Sequence, residues 1–302
     1  MDRLQQLSVF RRVVETGNIT RAARDLAMSQ PSVSRIVGEL EQRLGVPLLI
    51  RSPRGLTATE AGQSFHLEAV RILDSLEEAE ANARGAQSAL LGHVRIGCVA
   101  AFFNAVVLPW LREFLLANPG LTLEARLDAK PLDLTEEGID LAIRFGPIRQ
   151  QSLIARKLGR IDFALFASPD YLQRHGTPTV PEELAAHEFC RLSSAGTQGR
   201  LVLDGPCGRT VPVETHGRFS ADSVDSTHLA ARAGLGIALL APWAVMEEIG
   251  SGSLVPVLPG WRAEPRDVHA VWPGGHILPR RVRAVLDLLV AQAALEPRLK
   301  AR

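Results

Sequence analysis

Gln30, Ser32, Ser34 and Arg35 fall within one short stretch and carry an amide, two hydroxyls and a guanidinium. Such groups can hydrogen-bond base edges and phosphate oxygens, so the chemistry they imply is recognition of a nucleic acid. The stretch also reads as the start of a helix. Ser29 is a good N-cap and Pro31 suits a first turn, where its missing N–H has no partner to lose. A helix begun this way turns free N–H groups and the positive end of its dipole outward, where phosphate oxygens are favoured.

The elements that must hold these side chains follow from spacing. Projecting Pro31 to Leu44 at about 100° per residue puts Val33, Ile36, Val37, Leu40 and Leu44 on one stripe. Pro31, Arg35, Gly38 and Gln42 fall opposite, flanked by Ser34. The stripe needs partners. Leu7, Phe10, Val13 and Val14 supply one helical pattern, and Ala22, Ala23 and Leu26 another, so three short helices share a small core. Thr20–Ala27 and Pro31–Leu44 then read as the two helices of a helix-turn-helix, at about 19–38, with Thr20 added to the contacting set. The same periodicity fits an ordinary three-helix cap with a solvated polar edge.

Beyond Gly45, an apolar run, a turn holding Arg51 and Arg54, and a second extended piece predict a two-stranded wing with a basic tip. Residues 1–62 hold nine arginines, no lysine and six acids, a net +3 in a chain whose total is +1, so basicity gathers where a polyanion would bind. At this point the sequence resembles the LysR-type transcriptional regulators of bacteria. LSVFRRVVETGNITRAARDLAMSQPSVSRIVGELEQRLGVPLLIRSPRGLTATEAG is similar to that family's N-terminal domain at nearly every patterned position. DLAIRFG, ASPDYL and LAARAGLGIALL resemble segments of its effector-binding domain, in the expected order. The resemblance implies regulated transcription: double-stranded DNA as partner, a small-molecule effector, self-association into a dimer or tetramer, and action with RNA polymerase at promoters.

From Thr59 to about Ala83 the spacing predicts one long helix. Phe65, Ala69, Ile72, Leu76, Ala79 and Ala83 recur at intervals of 4, 3, 4, 3 and 4, the a/d spacing of a coiled-coil seam. The alternative is an amphipathic helix lying on its own domain; the family resemblance implies the dimer. Gly85 and Gly92 bracket a hinge. After it, strands alternate with helices: VRIGCV, a helix at AFFNAVVLPWLREFLLAN, LTLEARL, a short helix at PLDLTEEG, IDLAIRF and IDFALFAS, then a helix at DYLQRHG, an irregular stretch to about Ser220, a helix at SVDSTHLAARAG, the strand GIALL and a helix at PWAVMEEIG. Alternation of this kind predicts parallel sheets covered on both faces and a cleft at the strands' carboxyl ends.

The expected fold class is α/β, with an N-terminal winged helix-turn-helix domain rich in helix (1–59), a dimerisation linker helix and hinge (60–92), and an effector-binding domain (93–302). The resemblance implies two lobes like those of periplasmic binding proteins, lobe I at about 93–162 with 268–302 and lobe II at about 163–267. By position, the cleft candidates are Ala100, Ala101 and Phe102 after the first strand, Arg144, Phe145 and Gly146, then Ser194, Thr197 and Gln198, and Asp222 and Ser223. Many relatives place a Ser or Thr in the first loop to help hold a carboxylate. Here Ala100 and Ala101 lack the hydroxyl, and Arg144 could pair an anion or simply a neighbouring acid.

Composition narrows the rest. Hydrophobic residues at 46 % with 22 % charged fit a globular chain, with no leader pattern and no stretch expected to span a membrane, so a cytoplasmic location is expected. Three scattered cysteines without a CxxC pair argue against a disulfide framework or a zinc site, and no cofactor is expected. Cys98 reads as a small core residue or, alternatively, an oxidant sensor. GxSxG, GxxxxGK[ST] and HExxH are absent, so a regulator is expected rather than an enzyme. Two alternatives stay open: a constitutive DNA-binding protein with a vestigial cleft, and an α/β enzyme fused to a DNA-binding module.

Overall fold

Three short helices open the chain, each started by a polar side chain that accepts from an otherwise orphaned backbone N–H. The computed structural model describes residues 2–52, 55–83, 90–127, 133–193, 199–275 and 278–299. They divide into two compact units, Met1–Gly92 and His93–Arg302. In the first, Asp2 caps α1 (Arg3–Thr16), Asn18 caps α2 (Ile19–Asp25) and Ser29 caps α3 (Gln30–Leu44). Gly17 and Gly45 close α1 and α3 with left-handed φ of 59° and 72°, which glycine adopts without steric cost. Val9 and Val13 of α1, Ala22 and Ala23 of α2, and Val33, Ile36 and Val37 of α3 form the shared core.

The wing follows as an antiparallel pair, β1 (Leu49–Ser52) and β2 (Gly55–Ala58), with Leu49 opposite Ala58. Glu41 ties it to α3, its carboxylate accepting from the N–H groups of Leu48 (2.7 Å) and Leu49 (2.9 Å). The long helix α4 (Glu60–Ala83) starts where Thr59 Oγ1 accepts from Gly62 N at 2.9 Å. Gly62 has to be glycine, because a Cβ there would sit 1.9 Å from the carbonyl oxygen of Leu48.

The second unit runs β3 (Gly92–Cys98), α5 (Ala100–Phe102), a π-turn (Phe103–Val107), α6 (Leu108–Ala117), β4 (Leu121–Leu127), β5 (Leu141–Phe145), β6 (Leu153–Ala167) and α7 (Pro169–His175). It continues through β7 (Glu188–Leu192), β8 (Arg200–Asp204), β9 (Thr210–Glu214), β10 (His216–Ala221), α8 (Val224–Arg232), β11 (Ala238–Leu240) and α9 (Met246–Ser251). It ends with β12 (Val255–Val257), β13 (Arg262–Pro273) and α10 (Arg280–Leu295). The main sheet has the order β11-β6-β13-β5-β3-β4. Strands β6 and β13 are long enough to serve two layers. Their paired lengths join β5 and β3 around one core, centred on Ile96, Phe102, Leu111 and Val268. The far end of β6 pairs with β11 and β12, and the start of β13 with β8, beside two further cores.

This differs from a wholly parallel sheet. β3 and β5 are parallel, as are β7 and β10, but β13 runs antiparallel to β5 and β6, and β11 and β12 run antiparallel to β6. The cause is the crossing itself: one strand carries the chain outward and another brings it back alongside. The stretch before Ser220 is not irregular, since β7 to β10 lie in it, and Leu134–Gly138 of the expected PLDLTEEG helix is a turn.

The run 100–117 also corrects an expectation, because by length and composition it is a helix that could cross a membrane. It packs instead as a core helix, with Phe102, Phe103, Val106, Val107, Trp110 and Leu111 buried. Its widened turn precedes Pro109, whose missing N–H cannot join regular α-helical bonding.

Candidate functional site

On α3 the packing and presenting faces separate as the periodicity requires. Val33, Ile36, Val37 and Leu40 are buried, while Gln30, Pro31, Ser34, Arg35 and Gly38 are exposed, as is Thr20 on α2. Ser32 is half-buried and engaged: its N–H donates to Ser29 Oγ at 3.3 Å, and the two hydroxyls lie 2.8 Å apart. It therefore helps to start the helix as well as flanking the exposed edge. Arg35 is 58 % exposed and bonds Glu39 one turn along, 2.5 Å from Nη1 to Oε1, so the free protein holds its guanidinium on the helix surface. Arg12 is paired with Asp25 and Glu15, and Arg11 with Glu15 and Asp74, which locks α1 to its neighbours and leaves the net excess counted above to the other arginines. Arg21 and Arg24, exposed on α2, lie in the same unit without having been singled out by spacing. Arg51 lies on β1; Arg54 falls outside the described residues.

The seam expected on α4 is divided. Phe65 packs on Phe10 with ring centroids 5.5 Å apart, and Ala69 is buried with Leu7 and Leu73. These two positions belong to the unit's own core, because the strip that faces α1 overlaps the first half of the a/d pattern. Ile72, 49 % exposed, and Ala79 stay accessible, with Leu76 half-buried between them.

In the second unit, a cavity of about 550 Å³ lies between the two layers served by β6 and β13. Its size falls within the range of small-molecule sites. Ala101, Phe102, Arg144 and Phe145 line it, as their positions at strand and helix ends predict. Ala100 and Asp222 do not: Ala100 is offset by one residue from the lining face, and Asp222 is exposed ahead of the Ser223 cap of α8. Ser194, Thr197 and Gln198 fall outside the described residues. Arg144 Nη1 donates to Gln150 Oε1 at 2.8 Å, and burial holds its guanidinium below the ordinary arginine pKa while Asp133 opposes that shift.

Sequence spacing did not single out Phe163 or Arg266, which line the same cavity together with Trp243. Phe102 stands edge-on to Phe145 at 5.2 Å and to Trp243 at 6.0 Å, a rigid aromatic wall. Cys98 also lines it but is almost wholly buried, and burial pushes its thiol well up, so little thiolate is available to react with an oxidant. Among the described residues, no cluster of His, Cys, Asp and Glu could hold a metal ion.

A helix-turn-helix with a wing and a two-layered α/β unit around a ligand-sized cavity define a one-component DNA-binding regulator. Residues 4–63 match the bacterial regulatory helix-turn-helix protein, lysR family, and residues 87–294 match the LysR substrate binding domain. The chain is 34 % identical over 304 residues to an HTH-type transcriptional repressor of Pseudomonas aeruginosa, covering 99 % of this chain and 95 % of that protein. It is 32 % identical to the HTH-type transcriptional activator AaeR of Escherichia coli, over 96 % and 93 % of the two chains. The full-length structure of the Vibrio cholerae virulence activator AphB superposes with a TM-score of 0.58 at 32 % identity, over 96 % of this chain and 99 % of that one. The chain belongs to the LysR family: it is a transcriptional regulator, not an enzyme, with a helix-turn-helix DNA-binding domain and an effector-binding domain.

Proposed function

We propose that α3 reads base edges through Gln30, Ser34 and Arg35 while Thr20, Pro31, Ser32 and the wing residues Arg51 and Arg54 position the phosphate backbone. The observation that carries this is the exposed polar edge of α3 standing directly over a buried apolar stripe, at the positive end of the helix dipole. Residues 1–59 form the DNA-binding domain, 60–92 the linker and 93–302 the effector domain, with lobe I at about 93–162 and 268–302 and lobe II at about 163–267. Two copies pair along Ile72, Leu76 and Ala79, the part of the α4 pattern left accessible, which sets two reading helices about 34 Å apart on one face of DNA.

A small effector in the cavity biases closure of the two layers and thereby the arrangement of the paired helices on DNA. It does so only by binding the two arrangements with different affinity. The regulator acts in the cytoplasm, with RNA polymerase at its promoters.

Selection of genomic DNA by the purified full-length protein, followed by footprinting, tests the reading. A roughly palindromic site is expected, protected by the wild type and bound more weakly by Arg35→Ala. A footprint and affinity unchanged in that variant would take Arg35 out of the interface.

A further inference from the structure

We infer that the cavity takes an organic anion with an apolar body, its charged group held by Arg266 on β13, a specificity-determining residue. The inference rests on the cavity being the effector site. It moves the anion anchor away from the first loop, where Ala100 and Ala101 offer no hydroxyl.

Arg266 follows directly on a register shift in the β13–β6 pairing, between Ala263 and Arg266. A bulge of this kind re-aims the side chains beside it. The guanidinium lies over the ring of Phe163, 5.4 Å from its centroid, and both residues line the cavity. Among the described residues no carboxylate pairs with it. Glu264 acts on it only at a distance, and burial draws its pKa below the ordinary arginine value. A partly buried cation without a counter-charge is costly until an anion arrives.

The rest of the lining agrees. No Asp or Glu is found among the described lining residues, while Arg144, Arg149, Arg191 and Arg200 are. The indole N–H of Trp243, also in the lining, is buried with no acceptor among the described residues. Donors without acceptors select a ligand rich in acceptor oxygens, and the aromatic wall of Phe102, Phe145 and Trp243 selects an apolar body. Among the described lining residues a cationic ligand would meet only like charge.

Matched probes test this on the full-length protein: benzoate, 1-naphthoate and octanoate, each with its primary amide and the corresponding amine, read by melting temperature and by isothermal titration. Carboxylates are expected to raise the melting temperature and to bind at least about tenfold tighter than their amides. Arg266→Gln should abolish that preference, Arg266→Lys should keep part of it, and Arg112→Gln, exposed on α6 and outside the cavity lining, should leave it intact. Trp243→Phe should weaken carboxylate binding by about threefold, as loss of one donor requires.

Amides or amines binding as tightly as carboxylates would overturn the anion assignment while leaving the cavity as effector site. A carboxylate preference that survives in Arg266→Gln would overturn Arg266 as the anchor. No binding by any probe, charged or neutral, would overturn the inference and the effector reading with it. Should Arg266→Gln fail to fold, the wild-type comparison of acid against amide and the Arg266→Lys variant still decide.

Discussion

The exposed polar edge of α3, proposed to read DNA, and the cavity of the second unit, proposed to hold the effector, are assembled from opposite kinds of neighbour. Gln30, Ser34 and Arg35 are close in sequence, and one helix presents them on the face opposite the core it shares with α1 and α2. Phe102, Arg144, Phe163, Trp243 and Arg266 come from separate strands and helices and meet only because β6 and β13 cross between two layers. In the first case local geometry carries the chemistry, so a surface side chain can be removed without disturbing its support. In the second the lining is also wall and core, so binding and folding are coupled.

Substitutions can break that contrast, beginning with the support beneath the reading edge. Phe10→Ala removes a wholly buried ring packed on Phe65, and should cost about 3–5 kcal/mol of the first unit's stability, measured by chemical denaturation. A loss under 1 kcal/mol would mean that this core is not close-packed. If two copies pair along the accessible part of α4, replacing both Ile72 and Leu76 with Asp should leave the fold of the unit largely intact yet lower the oligomeric state, read by analytical ultracentrifugation, and weaken operator binding. A double variant that associates as the wild type does would move the seam elsewhere. Arg35→Ala should cost about 1–3 kcal/mol in specific DNA binding if it reads a base, with almost no change in melting temperature; a matching loss of stability would erase the distinction between surface and support.

The second unit has a pH signature of its own. Arg95 bonds Glu124 at 2.8 Å and Arg298 bonds Glu296 at 2.6 Å, and these bonds hold both carboxyls below the ordinary glutamate range. A depressed folded pKa contributes stability that is complete above the ordinary value of 4.5 and lost as pH falls through the folded value. The melting temperature should therefore be flat above about pH 5 and fall in more acidic buffer. Glu296→Gln should flatten that slope; an unchanged slope would place the acid sensitivity in other groups. The smallest effect concerns Gly38, in the middle of α3 with nothing within 4 Å of an added Cβ. Gly38→Ala should stabilise the helix by about 0.5–1 kcal/mol, and any drop in DNA affinity would show that the backbone must approach DNA closely there.

The extent to which each region was legible follows the same division. The start of α3 could be read because a cap, a first-turn proline and a 3.6-residue stripe all act within a few residues. The helix α4 was equally legible, but not the fate of its stripe: Phe65 and Ala69 satisfy the a/d spacing and nevertheless pack against Phe10 and Leu7. Periodicity says which face is apolar and not which surface will cover it. In the cleft, Ala101, Phe102, Arg144 and Phe145 could be placed because they end predicted elements. The one-residue offset that excludes Ala100 and the exposure of Asp222 depend on helix phase and on how far a loop carries the chain.

By itself, then, the sequence determined the elements whose stabilising contacts are near in the chain: the capped helices, the apolar stripe beneath the polar edge, and the strands β3 to β6 behind it. Only the tertiary structure decided the mixed direction of the sheet, the division of the α4 stripe and the meeting of Arg266 with Phe163. Those depend on pairings between residues far apart, where a register shift of one position re-aims a side chain and no local pattern records it.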